Sequence, residues 1–290
     1  MDAIIPVRSR QQAMDWSLVL TSQGIECRID ANATEHGWQL SVAQADFSRS
    51  IQALRLYHRE NKQHIWSQVE PWTGLTFDWR VIAWFILLAL IHLAVATKYP
   101  LLGSAGLMVS AKVAAGDWWR PITAVMLHAD LVHLVSNMTI GVIFLGFAMG
   151  SFGSGVALFS SLLAGVFGNL VGYVFYDTDR HRSLGASGMV MGALGLLAVH
   201  SLWRNRGTLT PKQAGLRGFV AGCFLLILLG TSQGSDVLAH AGGFVGGAIF
   251  GTALCFLPEQ ELQRPLWNRM LEILTSAVVI TAWWVAIRHG

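Results

Sequence analysis

With 290 residues the chain has room for one or two domains. It is 53% hydrophobic, 13% charged and has a mean hydropathy of +0.48, which excludes an ordinary water-soluble globule. Its net charge of +3 is too small and too scattered for a nucleic-acid surface.

The charges are unevenly placed. Residues 1–80 hold 17 Asp, Glu, Lys and Arg, and the remaining 210 residues hold 20. A polar unit therefore precedes a membrane domain. Cys27, Cys223 and Cys255 have neither a CxxC nor a metal spacing, so no disulfide framework, metal or other cofactor is implied. The first 25 residues lack a basic-then-apolar signal, so the N-terminus is expected in the cytoplasm.

In chain order, residues 1–65 read as a small α/β domain. Gln11 to Thr21 has helical spacing of apolar residues and stops at Ser22-Gln23-Gly24. Ile25–Ile29 and Gly37–Val42 read as strands, and Ala43–Tyr57 as a second amphipathic helix. Residues 66–79, with Pro71 and Gly74, form a linker.

Spanning helices of ~20 apolar residues are expected at 81–97, 122–147, 155–176, 187–203, 215–231, 237–256 and 270–287. Basic residues Arg59, Lys62 and Arg80, then Arg204, Arg206, Lys212 and Arg217, then Arg264 and Arg269 all fall on the N-terminal side. The positive-inside rule makes that side cytoplasmic, although Lys98, Arg180 and Arg182 fall opposite. Ser187 then enters its helix from the outer face. The link 98–120 is too short to cross twice and is expected to lie in the interface, with Trp118-Trp119 in the headgroup zone.

Polar side chains inside apolar spans need a reason, and His128, His133, Asn137, Ser187, Asp236 and His240 are such residues. His133 and Asn137, four apart, share a helix face. His128 and His133, five apart, would diverge by ~140° on one helix, which argues against a shared metal. Gly188, Gly192 and Gly195 form a small-residue stripe, as do Ala239, Gly243, Gly247 and Gly251. Such stripes let membrane helices approach closely and can bring Ser187 within reach of His240. A serine needs a base to take its proton, and neutral histidine can serve. The resulting oxyanion needs donors, available at a helix N-terminus and from His133 and Asn137. Asp236, one turn before His240, reads as a helix cap with Ser235 rather than a third catalytic member.

Trp119-Arg120, His128…His133-Leu134-Val135-Ser136-Asn137, Gly185-Ala186-Ser187-Gly188 and Ala239-His240-Ala241-Gly242-Gly243 together resemble the rhomboid intramembrane serine proteases. The resemblance covers roughly residues 78–257. It implies an all-α membrane fold: a six-helix bundle (80–257), with 258–290 adding a loop and a seventh helix. Ser187 would be the nucleophile, His240 the general base, and His133, Asn137 and the Ser187 amide the oxyanion hole. It further implies transmembrane protein substrates in a bacterial inner membrane, entering past the fifth span. The alternative is a non-catalytic relative that binds transmembrane clients. Met191 stands where many bacterial members carry an aromatic residue against the catalytic histidine.

Overall fold

A computed structural model describes residues 2–7, 10–32, 37–60, 76–177, 181–204, 216, 218 and 236–290. Apart from residues 216 and 218, the fifth expected span, 215–231, and with it the expected entry route, lies outside the described residues, as does most of the linker. The chain divides into two compact units between Pro71 and Trp72.

The first unit contains β1 (Asp2–Val7), α1 (Arg10–Ser22), β2 (Cys27–Asn32), β3 (Gly37–Ala43) and α2 (Phe47–Glu60). Both β1 and β2 pair antiparallel with a central β3, in the order β1-β3-β2. Ile5, Val7, Leu40 and Val42 alternate into a core completed by Ala13, Leu20 and Leu54 of the helices. Gly24, at φ +71, ends α1 in the left-handed conformation that an L side chain resists. β1 is an addition to the expected elements. It contains Pro6, which has no N–H to donate and is tolerated because β1 is an edge strand.

Among the described residues the second unit is helical apart from one small two-stranded ladder. Its elements are α3 (Val81–Thr97), α4 (Pro100–Gly106), β4 (Met108–Val109), α5 (Ser110–Ala114), α6 (Arg120–Thr123), α7 (Leu131–Phe152), α8 (Ser154–Phe175), β5 (Arg182–Ser183), α9 (Ser187–Arg204), α10 (Val237–Cys255), α11 (Glu259–Leu262) and α12 (Pro265–His289). Helices α7, α8, α10 and α12 are long and apolar enough to cross a membrane, and α3 with α4 qualifies as a pair bent by 117°. The start of α9 is enclosed by its neighbours, from Gly188 to Leu196. The protein is therefore a multi-pass all-α membrane protein with a small N-terminal α/β unit.

Two expectations change. The second span begins at Leu131 rather than 122, because Asp130 caps it by accepting the His133 N–H at 2.8 Å. His128 thus lies outside the helix, and the expected divergence of His128 and His133 does not occur: their rings meet edge to face at 5.2 Å. Trp118 is exposed as expected for an interfacial ring, but Trp119 is buried, donating Nε1–H to the Ala105 carbonyl at 3.3 Å.

The link between α3 and α7 is pinned by Arg120, which has no exposed surface. Its guanidinium holds the carbonyls of Ser104 and Leu107 at 2.9 and 2.8 Å and the Asp117 carboxylate at 2.6 Å. At the other end of α3, burial raises the Asp78 carboxyl, but the hydrogen bonds and charge of Arg80 outweigh it and hold the group below its usual range. Arg80 also faces Glu272 of α12 at 3.5 Å.

The α7–α8 hairpin turns on Gly153 (φ +93), where a Cβ would collide with Asn268 of α12. The Asn268 Oδ1 accepts the Gly155 and Val156 N–H groups at 2.9 and 3.2 Å, and its Nδ2 donates to the Leu262 and Arg264 carbonyls. One buried amide therefore caps α8 and fastens α12 to it. Asn268→Ala is expected to cost about 2 kcal/mol, read as a lower unfolding midpoint in denaturant titration of the detergent-solubilised protein. An unchanged midpoint would show that α12 is held elsewhere.

Candidate active site

Helices α9 and α10 run parallel with their backbones in direct contact. A Cβ on Gly243 would collide with the Gly188 carbonyl, and one on Gly247 with the Gly192 carbonyl. One on Gly195 would collide with the Phe244 carbonyl and lie 2.8 Å from the Ala248 nitrogen. This is the expected pair of small-residue stripes. The stripes also have a second face. Gly242 and Gly246 turn towards α8, where Gly242 would press a Cβ to 2.9 Å of the Gly168 Cα. Gly165 of α8 would do the same to the Met189 nitrogen of α9. Three helices therefore meet at backbone distance, the geometry that van der Waals packing favours in a bilayer.

This packing sets the position of the polar groups. Ser187 is the first residue of α9 and keeps partial exposure between buried neighbours Ala186 and Gly188. Gly188 lies beside Ala239, where its Cβ would come 3.5 Å from the Ala239 carbonyl oxygen. Ala239 immediately precedes His240, which is 5% exposed in the first turn of α10. The residues flanking Ser187 and His240 are thus in contact.

On the other side stands His133, in the first turn of α7. Gly185 has φ +124, and its N–H donates to the Ala124 carbonyl at 2.9 Å. A Cβ there would lie 2.8 and 2.9 Å from Cε1 and Nε2 of His133, and 3.7 Å from the Ser187 hydroxyl. Glycine is required here for both its backbone angle and its lack of a side chain. The His133 ring and the Ser187 Oγ converge on that one position.

Asn137 is buried one turn along α7, and its Nδ2 donates to the His133 carbonyl at 3.0 Å. A primary amide carries a second N–H beside the one used here. The His128 Nε2 accepts the Ala186 N–H at 3.4 Å, so His128 supports the loop that carries Ser187. Met191 is buried at 1% exposure. Asp236 caps α10, its Oδ1 accepting the Ala239 N–H at 2.9 Å.

The sequence reading did not single out His181 and Ser110. The Nε2 of His181 is 2.9 Å from Asp236 Oδ2, and its Nδ1 is 2.7 Å from Ser110 Oγ. Flanking Arg180 and Arg182 make the segment read as a basic loop, and 71 and 55 residues of chain separate the partners. The β4–β5 ladder, which pairs Met108 with Ser183 and Val109 with Arg182, brings Ser110 to His181, and Asp236 meets His181 from the start of α10.

A bundle of close-packed apolar helices with a serine, two histidines and an asparagine gathered at one end defines a class of polytopic membrane protein with a polar site inside it. Residues 115–257 match the Rhomboid domain, and the chain belongs to the rhomboid family. It is 30% identical over 170 residues to "Rhomboid protease GluP" of Bacillus subtilis, covering 57% of this chain and 31% of that one. It is 29% identical over 152 residues to YdcA of the same organism, covering 52% and 73%. It is also 30% identical over 157 residues to "RHOMBOID-like protein 6, mitochondrial" of Arabidopsis thaliana, covering 51% and 50%. The chain thus spans about a third of the length of GluP and half that of the plant relative.

Proposed function

We propose that the chain is an intramembrane serine endopeptidase that cleaves membrane-anchored proteins in or near a transmembrane segment. The observation that carries this reading is the contact of Gly188 with Ala239 and Gly243, which makes Ser187 and His240 neighbours while His133 faces Ser187 across Gly185.

In this reading His240, as neutral imidazole, takes the proton of Ser187 Oγ as the oxygen attacks the scissile carbonyl. The oxyanion is met by the Ser187 N–H, which lies in a first helical turn with no intrahelical partner, and by His133 and Asn137. His240 then delivers the proton to the leaving amine. Water, deprotonated by His240, hydrolyses the acyl-enzyme and restores the hydroxyl. In this reading Asp236 is not a third catalytic member, since its two oxygens are engaged by Ala239 and His181. The basic-residue bias supports a cytoplasmic N-terminus, and hence a site opening to the outer face, and the likeness to the two Bacillus subtilis proteins supports a bacterial cytoplasmic membrane.

The test is labelling of the purified protein with a fluorophosphonate probe. Wild type is expected to label at one position, lost in Ser187→Ala without a change in unfolding midpoint. A folded wild-type protein that stays unlabelled would sink the protease reading and support a client-binding rhomboid relative.

A further inference from the structure

Ser110, His181 and Asp236 form a buried chain of polar contacts outside the proposed dyad. Ser110 has no exposed surface and His181 only 8%. His181 is fixed from several directions. Tyr176 stacks on its ring at 4.9 Å, and Gly172 leaves no room for a Cβ beside its Cε1, at 2.8 Å. Its N–H donates to the Asp177 carbonyl, and its carbonyl accepts the Ser110 N–H. The composition is Ser-His-Asp, but a serine without surface cannot meet a substrate, so this is not a second hydrolytic site.

Its chemistry points elsewhere. A carboxylate only accepts, so His181 Nε2–H donates to Asp236, and in the neutral ring Nδ1 accepts the Ser110 hydroxyl proton. Asp236 then has one oxygen on His181 and the other on the Ala239 N–H, while its backbone carbonyl accepts the His240 N–H at 3.0 Å. With both oxygens held, the cap cannot rotate, and the first turn of α10 is anchored to the loop that leads into Gly185. Loss of the His181 contact frees the carboxylate to turn towards water and lets that turn fray.

We propose that His181 is a positioning residue for His240, acting through the Asp236 cap; this rests on the protease reading. It never touches the reacting atoms. Its role is to hold the base at the depth set by the glycine contacts, where small displacements are costly to rate.

The experiment exploits the two ring nitrogens. In His181→Asn the amide occupies the Nδ1 position and keeps Ser110 but loses Asp236; in His181→Gln it reaches the Nε2 position and keeps Asp236. Full-length protein in proteoliposomes is assayed on a reporter transmembrane substrate, with unfolding midpoints and fluorophosphonate labelling measured in parallel. His181→Asn and His181→Ala are expected to lower kcat about ten-fold with KM within about two-fold, and His181→Gln to keep at least about half of kcat. Equal kcat in Asn and Gln variants would overturn the proposal, whether both match wild type or both fall with the unfolding midpoint. A change confined to KM would also overturn it. If wild type labels and these variants behave identically, only the positioning role fails; an unlabelled wild type removes the protease reading and this role together.

Discussion

Replacing His240 by alanine or asparagine is expected to lower reporter cleavage by about 10⁴-fold or more, as Ser187→Ala does, and the double variant is expected to lose no more than either single one. The reason is that in the proposed mechanism nucleophile and base act as one unit. Without the imidazole the hydroxyl keeps its proton, and without the hydroxyl the imidazole has nothing to activate. His240→Asn is the sharper variant. His240 is buried at 5% exposure, so alanine leaves a cavity in the first turn of α10, whereas asparagine fills more of it and still cannot act as a base. His133→Ala should behave differently, because it removes a donor: a loss of about 10²-fold, with residual cleavage still dependent on Ser187. Rates from site-directed variants on one purified substrate, beside unfolding midpoints, decide among these. Losses of His240 and Ser187 that multiply, or full cleavage in either single variant, would show that they do not form a dyad.

The long helices were legible because a bilayer demands runs of apolar residues that few other settings tolerate. Val81–Thr97 falls where the hydropathy places it, and α8 and α10 shift by a single residue. The error at the second span has a local cause. Ile122 to Leu127 is as apolar as the helix that follows, so composition runs through the break. The signals for the true start were Asp130 as a cap and Pro121 as the opening of a separate short helix. The small-residue stripes on α9 and α10 were readable at their spacing of three or four residues. The second glycine face, Gly242 and Gly246, was not, since nothing in the spacing says which neighbour it meets. Of the site, Ser187, His133, Asn137 and His240 stand out as polar groups in apolar spans. His181 and Ser110 do not, because their importance lies in contacts across 71 and 55 residues that only the folded loops create.

Gly247→Ala is expected to lower the unfolding midpoint by an amount corresponding to about 1–3 kcal/mol and to cut cleavage more than about ten-fold, although both proposed catalytic side chains remain. The added methyl would collide with the Gly192 carbonyl oxygen and come 2.7 Å from the Gly192 carbonyl carbon and Cα. Those are backbone atoms, which cannot rotate aside as a side chain would, so α9 and α10 must separate. Gly247 lies two turns along α10 from His240, ~10 Å away on an ideal helix. A wedge there tilts one parallel helix from the other and moves its far end, which carries the base, relative to Ser187. Gly103→Ala is the matched control, since its methyl would meet only the tip of the Val95 side chain at 3.2 Å and alanine favours a helix. A larger Gly247→Val should deepen both effects in the same order. If Gly247→Ala kept wild-type cleavage at a lowered midpoint, the separation of Ser187 and His240 would be fixed by the loops at the helix starts rather than by the glycine contact.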